Sequence, residues 1–181
     1  MNRILLAGFL GGVAMFLAGT FTHVVLPLGD AGIKLLPNEA PIVAAIKSNL
    51  NDPGLYYFPG MPKGASGREE WEQRHRTGPI GILIYTPTGS SPMEPRQLAG
   101  EFVSNVLAAL VAAWLLVQTR IASFAARVLF VTALGLLACL AISVSYWNWF
   151  NFPTVFTLAE FAHEMIGFAA TGLVLAWRIK P

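Results

Sequence analysis

The chain has 181 residues, of which 55% are hydrophobic and 12% charged. A water-soluble domain carries about 25% charged residues, so half that share, with long apolar runs, places the chain in a membrane. A formal net charge of +2 is too small to argue for a nucleic-acid partner, and a single cysteine excludes an internal disulfide and a cysteine-based zinc site.

Residues 1–24 are predicted to form the first span. The apolar run ILLAGFLGGVAMFLAGTFTHV at 4–24 reaches the length of about 20 residues that a bilayer needs. A cleaved signal peptide competes, since Ala18-Gly19-Thr20 loosely matches a small-residue cleavage site. The n-region is only Met-Asn-Arg and the apolar run continues past that point, so a retained helix is expected. Gly8, Gly11, Gly12 and Gly19 suit close helix packing.

Residues 25–97 are far more polar, and Pro27, Gly29 and Gly32 end the first helix. NEAPIVAAIKSNL at 38–50 reads as a short amphipathic helix with Asn38 as its N-cap. After the turn signal Asp52-Pro53-Gly54, LYYFPG and IGILIYTP read as two short strands joined by a charged helical stretch, SGREEWEQRHRT. The region is expected to be a small α+β cap outside the membrane, too long for a structureless loop. His75 reads as a solvated side chain between Arg74 and Arg76. The Tyr56–Met61 stretch is either the core of the cap or a docking surface.

Ser91, Pro92 and Glu94 form a capping signal for the next helix, which spans at 98–118. The third span is expected at 128–147 and the fourth at 155–177, with connections at 119–127 and 148–154 and a tail at 178–181. Trp71, Trp147 and Trp149 fit an interfacial belt. Arg3, Arg120, Arg127, Arg178 and Lys180 then fall on one side of four spans. The positive-inside rule makes that side cytoplasmic. The expected fold is an all-α integral membrane protein: an antiparallel bundle of four transmembrane helices in a bacterial inner membrane, both termini cytoplasmic, the cap periplasmic.

Each span carries a stripe of small or polar residues: Gly12, Met15, Gly19 and His23; Glu101, Ser104, Asn105, Ala108 and Ala112; Thr132, Gly135, Cys139 and Ser143; Glu160, His163, Glu164, Gly167 and Thr171. Helix packing alone accounts for the small residues, Cys139 among them. Ionisable groups within a span are costly and normally face protein or water. At about 1.5 Å per residue, His163 and Glu164 lie roughly 12 Å, and Glu160 about 8 Å, below the outer end of the fourth span. His23 and Glu101 lie at comparable levels. The five residues His23, Glu101, Glu160, His163 and Glu164, supported by Asn105, are therefore expected to meet in one buried cluster of the outer leaflet.

Several chemistries suit such a cluster. Glu160-x-x-His163 has the spacing of carboxylate-bridged metal sites in helix bundles. His23, Glu101, Glu160 and His163 together would make a four-ligand set for a transition metal: zinc, iron, manganese or copper. Haem between His23 and His163 is less favoured. A proton path lacks ionisable residues in the inner half. A structural network of Glu–His and Glu–Asn hydrogen bonds is the plainest reading. No nucleophile elbow, phosphate loop, CxxC or CxxCH sequence is present, so no catalytic residue is assigned. Two functions compete. One is an accessory or structural subunit of a larger membrane assembly, with other subunits or a second copy as partners. The other is a metal- or haem-dependent redox protein.

Overall fold

Long runs of Leu, Ala, Val and Phe without internal proline satisfy their backbone groups locally, and they fold as helices. In the computed structural model, which describes residues 2–62, 64 and 66–180, the chain runs through α1 (Asn2–Val24), α2 (Glu39–Asn49), β1 (Gly54–Phe58), α3 (Arg68–Thr77), β2 (Gly81–Tyr85), α4 (Pro95–Val117), α5 (Phe124–Ala138), a π-helical turn (Cys139–Ser143), α6 (Val144–Phe150) and α7 (Thr154–Arg178). Helix α5, the π turn and α6 form one rod, Phe124–Phe150. With α1, α4 and α7 it makes four helices long and apolar enough to cross a membrane. Two compact units result: Met1–Ile33 with Pro92–Pro181, and Lys34–Ser91.

In the larger unit α1 packs against α4 and α7, and α7 packs against α1 and α5, while α4 and α5 meet only briefly. Small residues make these approaches. A Cβ on Gly12 would stand 2.5 Å from the Cα of Val106, one on Gly8 2.9 Å from the Cα of Leu110, and one on Gly172 3.0 Å from the carbonyl of Val128. Ala7, Ala112, Ala113, Leu116, Val131 and Leu175 form the buried core. Between α7 and α1, the buried Thr171 Oγ1 donates to the Gly11 carbonyl at 3.1 Å. The large apolar side chains point outward: Leu17 and Phe21 on α1, Leu107 and Trp114 on α4, Leu129 and Leu137 on α5, Leu158 and Trp177 on α7 are all exposed.

Three boundaries differ from the sequence expectation. The third long helix runs from 124 to 150 rather than 128 to 147, which leaves only Asn151–Pro153 as its link to α7. Asn151 closes it in the left-handed region, φ 56°, and Trp147 Nε1 donates to Thr154 Oγ1 at 3.1 Å. Helix α4 is capped by Glu94, not Ser91: the Glu94 amide donates to Gln97 Oε1 at 3.1 Å, and Pro95 follows the cap. Arg127, expected in a cytoplasmic connection, lies inside α5 and is only 7% exposed. Residues 25–33 belong to the larger unit, where Gly32, at φ 80°, lies against the backbone of Phe156.

The smaller unit holds α2, α3 and an antiparallel pair with Gly54 opposite Tyr85, Tyr56 opposite Leu83 and Phe58 opposite Gly81. Both expected strands and both expected helices are present. Asn38 does precede α2, but its φ is 53° and its side chain makes no capping bond. Trp71 is part of this unit's interior, its Nε1 donating to the Pro59 carbonyl at 3.1 Å. His75 is half-buried rather than solvated, with Nε2 3.1 Å from Tyr57 Oη and its ring 5.4 Å from that of Trp71. Glu72 meets Arg68 at 3.0 Å and Arg76 at 3.7 Å along the outer face of α3.

Candidate functional site

About five turns into α1 the seam reaches Gly19, Thr22 and His23, and here α1 meets the polar stretch of α7. Thr22 is fully buried. Its Oγ1 donates to the Gly19 carbonyl at 2.8 Å and lies 2.7 Å from His163 Nδ1. A hydroxyl has one proton. With that proton on Gly19, His163 donates from Nδ1, and its Nε2 makes no hydrogen bond among the described residues. His23 Nδ1 is 3.0 Å from the same carbonyl, which can only accept, so His23 too donates from Nδ1. The two rings meet edge to face, centroids 4.7 Å apart and planes at 89°. Beyond α1 the chain folds back over His23, and a Cβ on Gly29 would collide with its ring.

His23, Glu101, Asn105, Glu160, His163 and Glu164 all line one cavity of about 500 Å³. The six residues singled out from sequence therefore share one site, but the site is an open groove and not a buried cluster. His23 and Glu101 are exposed, while Asn105, Glu160, His163 and Glu164 are half-buried. The reason lies in α4, whose inward face is Ala109, Ala112, Ala113 and Leu116. Close approach of Gly8 and Gly12 to Leu110 and Val106 sets that face and leaves Glu101 and Ser104 turned outward.

The expected network of glutamates is not what holds the site together. Among the described residues, Glu101, Glu160, Glu164 and Asn105 make no side-chain hydrogen bond or ion pair; Thr22 does the joining. Sequence reasoning passed over Thr22, although Gly8, Gly11, Met15 and Thr22 repeat along one face of α1 at spacings of three, four and seven. Thr22→Val, which keeps shape and removes the hydroxyl, is expected to cost about 1–3 kcal/mol by leaving His163 Nδ1 unpaired. Thr22→Ser, which keeps the hydroxyl, should retain most of the original stability. Glu160→Gln should change stability little. Thermal unfolding of the three variants in detergent checks the contrast.

Among the described residues no three His, Cys, Asp or Glu side chains come together as a metal-ligand set. The haem geometry fits less well still. Axial imidazoles stand on opposite faces of a porphyrin, whereas these two rings touch edge to face, centroids 4.7 Å apart, with no room for a macrocycle between them. What the groove offers is two imidazoles and three carboxyl groups, with no Lys or Arg among the described residues of its wall. Beneath the Thr171 hydroxyl the interior is closed by apolar core side chains.

Glu160 and Glu164 also line a second, smaller cavity of about 280 Å³ on the other flank of α7. Its far wall is the π-helical turn with Cys139 and Ser143, and its rim is the ring series Tyr146, Phe152 and Phe156. Tyr146 stacks on Phe152 at 5.5 Å, and Phe152 meets Phe156 at 5.4 Å. Cys139 is buried there as a packing residue. Compared with protein-family models, with curated proteins and with solved structures, the chain matches none, so its function has to be read from these residues alone.

Proposed function

We propose that this chain is a multi-pass protein of a bacterial inner membrane and serves as a non-catalytic subunit of a larger membrane assembly. Its architecture, in this reading, is an antiparallel bundle of four spans with both termini cytoplasmic and the unit Lys34–Ser91 periplasmic. The antiparallel arrangement is supported by contacts whose numbers run in opposite senses: Gly8 on Leu110 with Gly12 on Val106, and Gly11 on Thr171 with Gly19 on His163. The small-inside, large-outside distribution of apolar side chains supports lipid as the solvent of the outer faces. An exposed apolar surface of this extent would make a protein associate in water.

The observation that carries the subunit role is the open groove. At spanning depth an ionisable side chain costs about 2.5–3.5 kcal/mol unless protein or water covers it. Glu101 and His23 are exposed there, and the glutamates have no side-chain partner among the described residues. A polar helix face on a partner, or on a second copy, would supply the missing donors. A photo-crosslinking residue at Thr20, in the groove wall, is expected to give one discrete adduct in intact membranes. The same residue at Leu129, an outward position on α5, should give none. Equal labelling from both positions, or none from either, would count against the role. Stoichiometric metal in the purified full chain, lost in His163→Ala, would favour a metal-dependent protein instead.

A further inference from the structure

At the end of the helices remote from the His–Glu groove, the last turns of α4 and α7 and the start of α5 surround a cavity of about 500 Å³. Arg127 lines it from the second turn of α5. The side chain is more than nine-tenths buried, and its Nε and Nη1 have no hydrogen-bond partner among the described residues. Arg120 and Lys180, both exposed, line the same cavity, and among the described residues no carboxylate side chain does. An adjoining cavity of about 450 Å³ adds Arg3 and Arg178 and shares Lys180. The carbonyl of Leu116, which lines the first cavity, is already taken, by the Thr119 amide at 3.1 Å and the Thr119 hydroxyl at 2.7 Å.

A buried guanidinium with two unpartnered nitrogens, Nε and Nη1, is an expensive arrangement unless an anion completes it. Guanidinium presents its donors as a rigid fork that matches two oxygens of a phosphate. Arg127 itself stands close to the N-terminal end of α5, which Ser123 caps, so the positive end of that helix lies near the guanidinium's own backbone. We infer that this cavity binds a phosphate-type oxyanion, with Arg127 as the fork and Arg120 and Lys180 as flanking charges. On the membrane reading above, on which this inference rests, its location is the cytoplasmic leaflet. There the phosphodiester of an anionic phospholipid is the abundant source, and free phosphate would use the same contacts.

The test is thermal unfolding of the purified full chain in an uncharged detergent with phosphatidylglycerol, phosphatidylcholine or inorganic phosphate added. Phosphatidylglycerol in hundredfold excess over its dissociation constant is expected to raise the midpoint by roughly 5–10 °C. Phosphatidylcholine, without net charge, should not. Arg127→Met should keep the lipid-free midpoint, because an apolar side chain of similar length replaces a charge with nothing to pair, and should lose the lipid shift. Where Arg127→Met does not fold, Arg127→Lys serves: charge without the fork should at least halve the shift. An equal rise with inorganic phosphate alone identifies the free anion as the ligand. No rise with either, or a full shift in the Arg127 variants, overturns the site. Recovery of the chain in the soluble fraction without detergent would instead defeat the membrane reading, a separate outcome.

Discussion

Gly12→Leu is expected to lower the thermal midpoint of the purified chain by roughly 6–12 °C, and Gly100→Ala to leave it unchanged or slightly higher. Both glycines are helical, but their surroundings are opposite. At Gly12 even a Cβ would stand 2.5 Å from the Cα of Val106, an atom of the partner backbone that no rotamer change can clear. A leucine there must push α1 away from α4, opening the seam through Ala109 and Ala112. Overpacking of a close-packed site costs about 1–3 kcal/mol, and a bulky side chain against backbone belongs at or beyond the upper end. At Gly100 nothing lies within 4 Å of a Cβ, so the gain in helix propensity of about 1 kcal/mol is unopposed. Equal effects at the two positions would mean that the α1–α4 seam is not the close contact described. Circular dichroism in detergent gives both midpoints.

The second large effect is all-or-none. A fluorescent protein that folds only in the cytoplasm, fused after residue 180, is expected to be bright. A phosphatase that needs an oxidising compartment, inserted at Gly89, is expected to be active. Exchanging the two reporters should silence both. The ground is the placement of Arg3 at the start of α1, Arg120 after α4 and Arg178 and Lys180 at the end of α7, against a short, uncharged link at 151–153. Gly89 lies in the unit Lys34–Ser91, in open surroundings that tolerate an insertion. The reciprocal pattern would invert the orientation. Activity of both reporters on one side would change the number of crossings.

The four long apolar helices were legible in the sequence because about 20 apolar residues in a row leave the backbone few alternatives to a helix, and α1 and α7 begin and end within about one residue of the expected bounds. The start of α4 was misplaced for a specific reason. Ser91-Pro92-x-Glu94 and Glu94-Pro95-x-Gln97 are the same cap–proline–spacer–acceptor pattern three residues apart, and local chemistry alone does not choose between them. Which residues gather in the groove could be read from helical spacing, since period and rise are fixed by the helix. Which of them bond could not. The Thr22–His163 contact joins residues far apart in the chain and depends on how closely Gly19 lets α7 approach. Arg127 and His75 were misjudged alike: a charge looks solvated in sequence until another element covers it. The burial of Arg127 comes from the end of α4, ten residues before it, and from the end of α7, some fifty residues after it.

The π-helical turn at Cys139–Ser143 has an effect on how the smaller cavity is specified. Such a turn is a helix carrying one residue more than its rise requires, and each residue turns a helix by about 100°. Tyr146 and its aromatic neighbours are therefore rotated by that angle relative to Val131, Gly135 and Cys139 on the same rod. Substituting any single residue of the turn leaves this phase intact. Deleting one would swing the whole aromatic end around the rod axis and unstack Tyr146 from Phe152, though no ring had been altered. The aim of those rings is written in a residue count, so length variants of this segment, and not substitutions, are the changes that would redirect them.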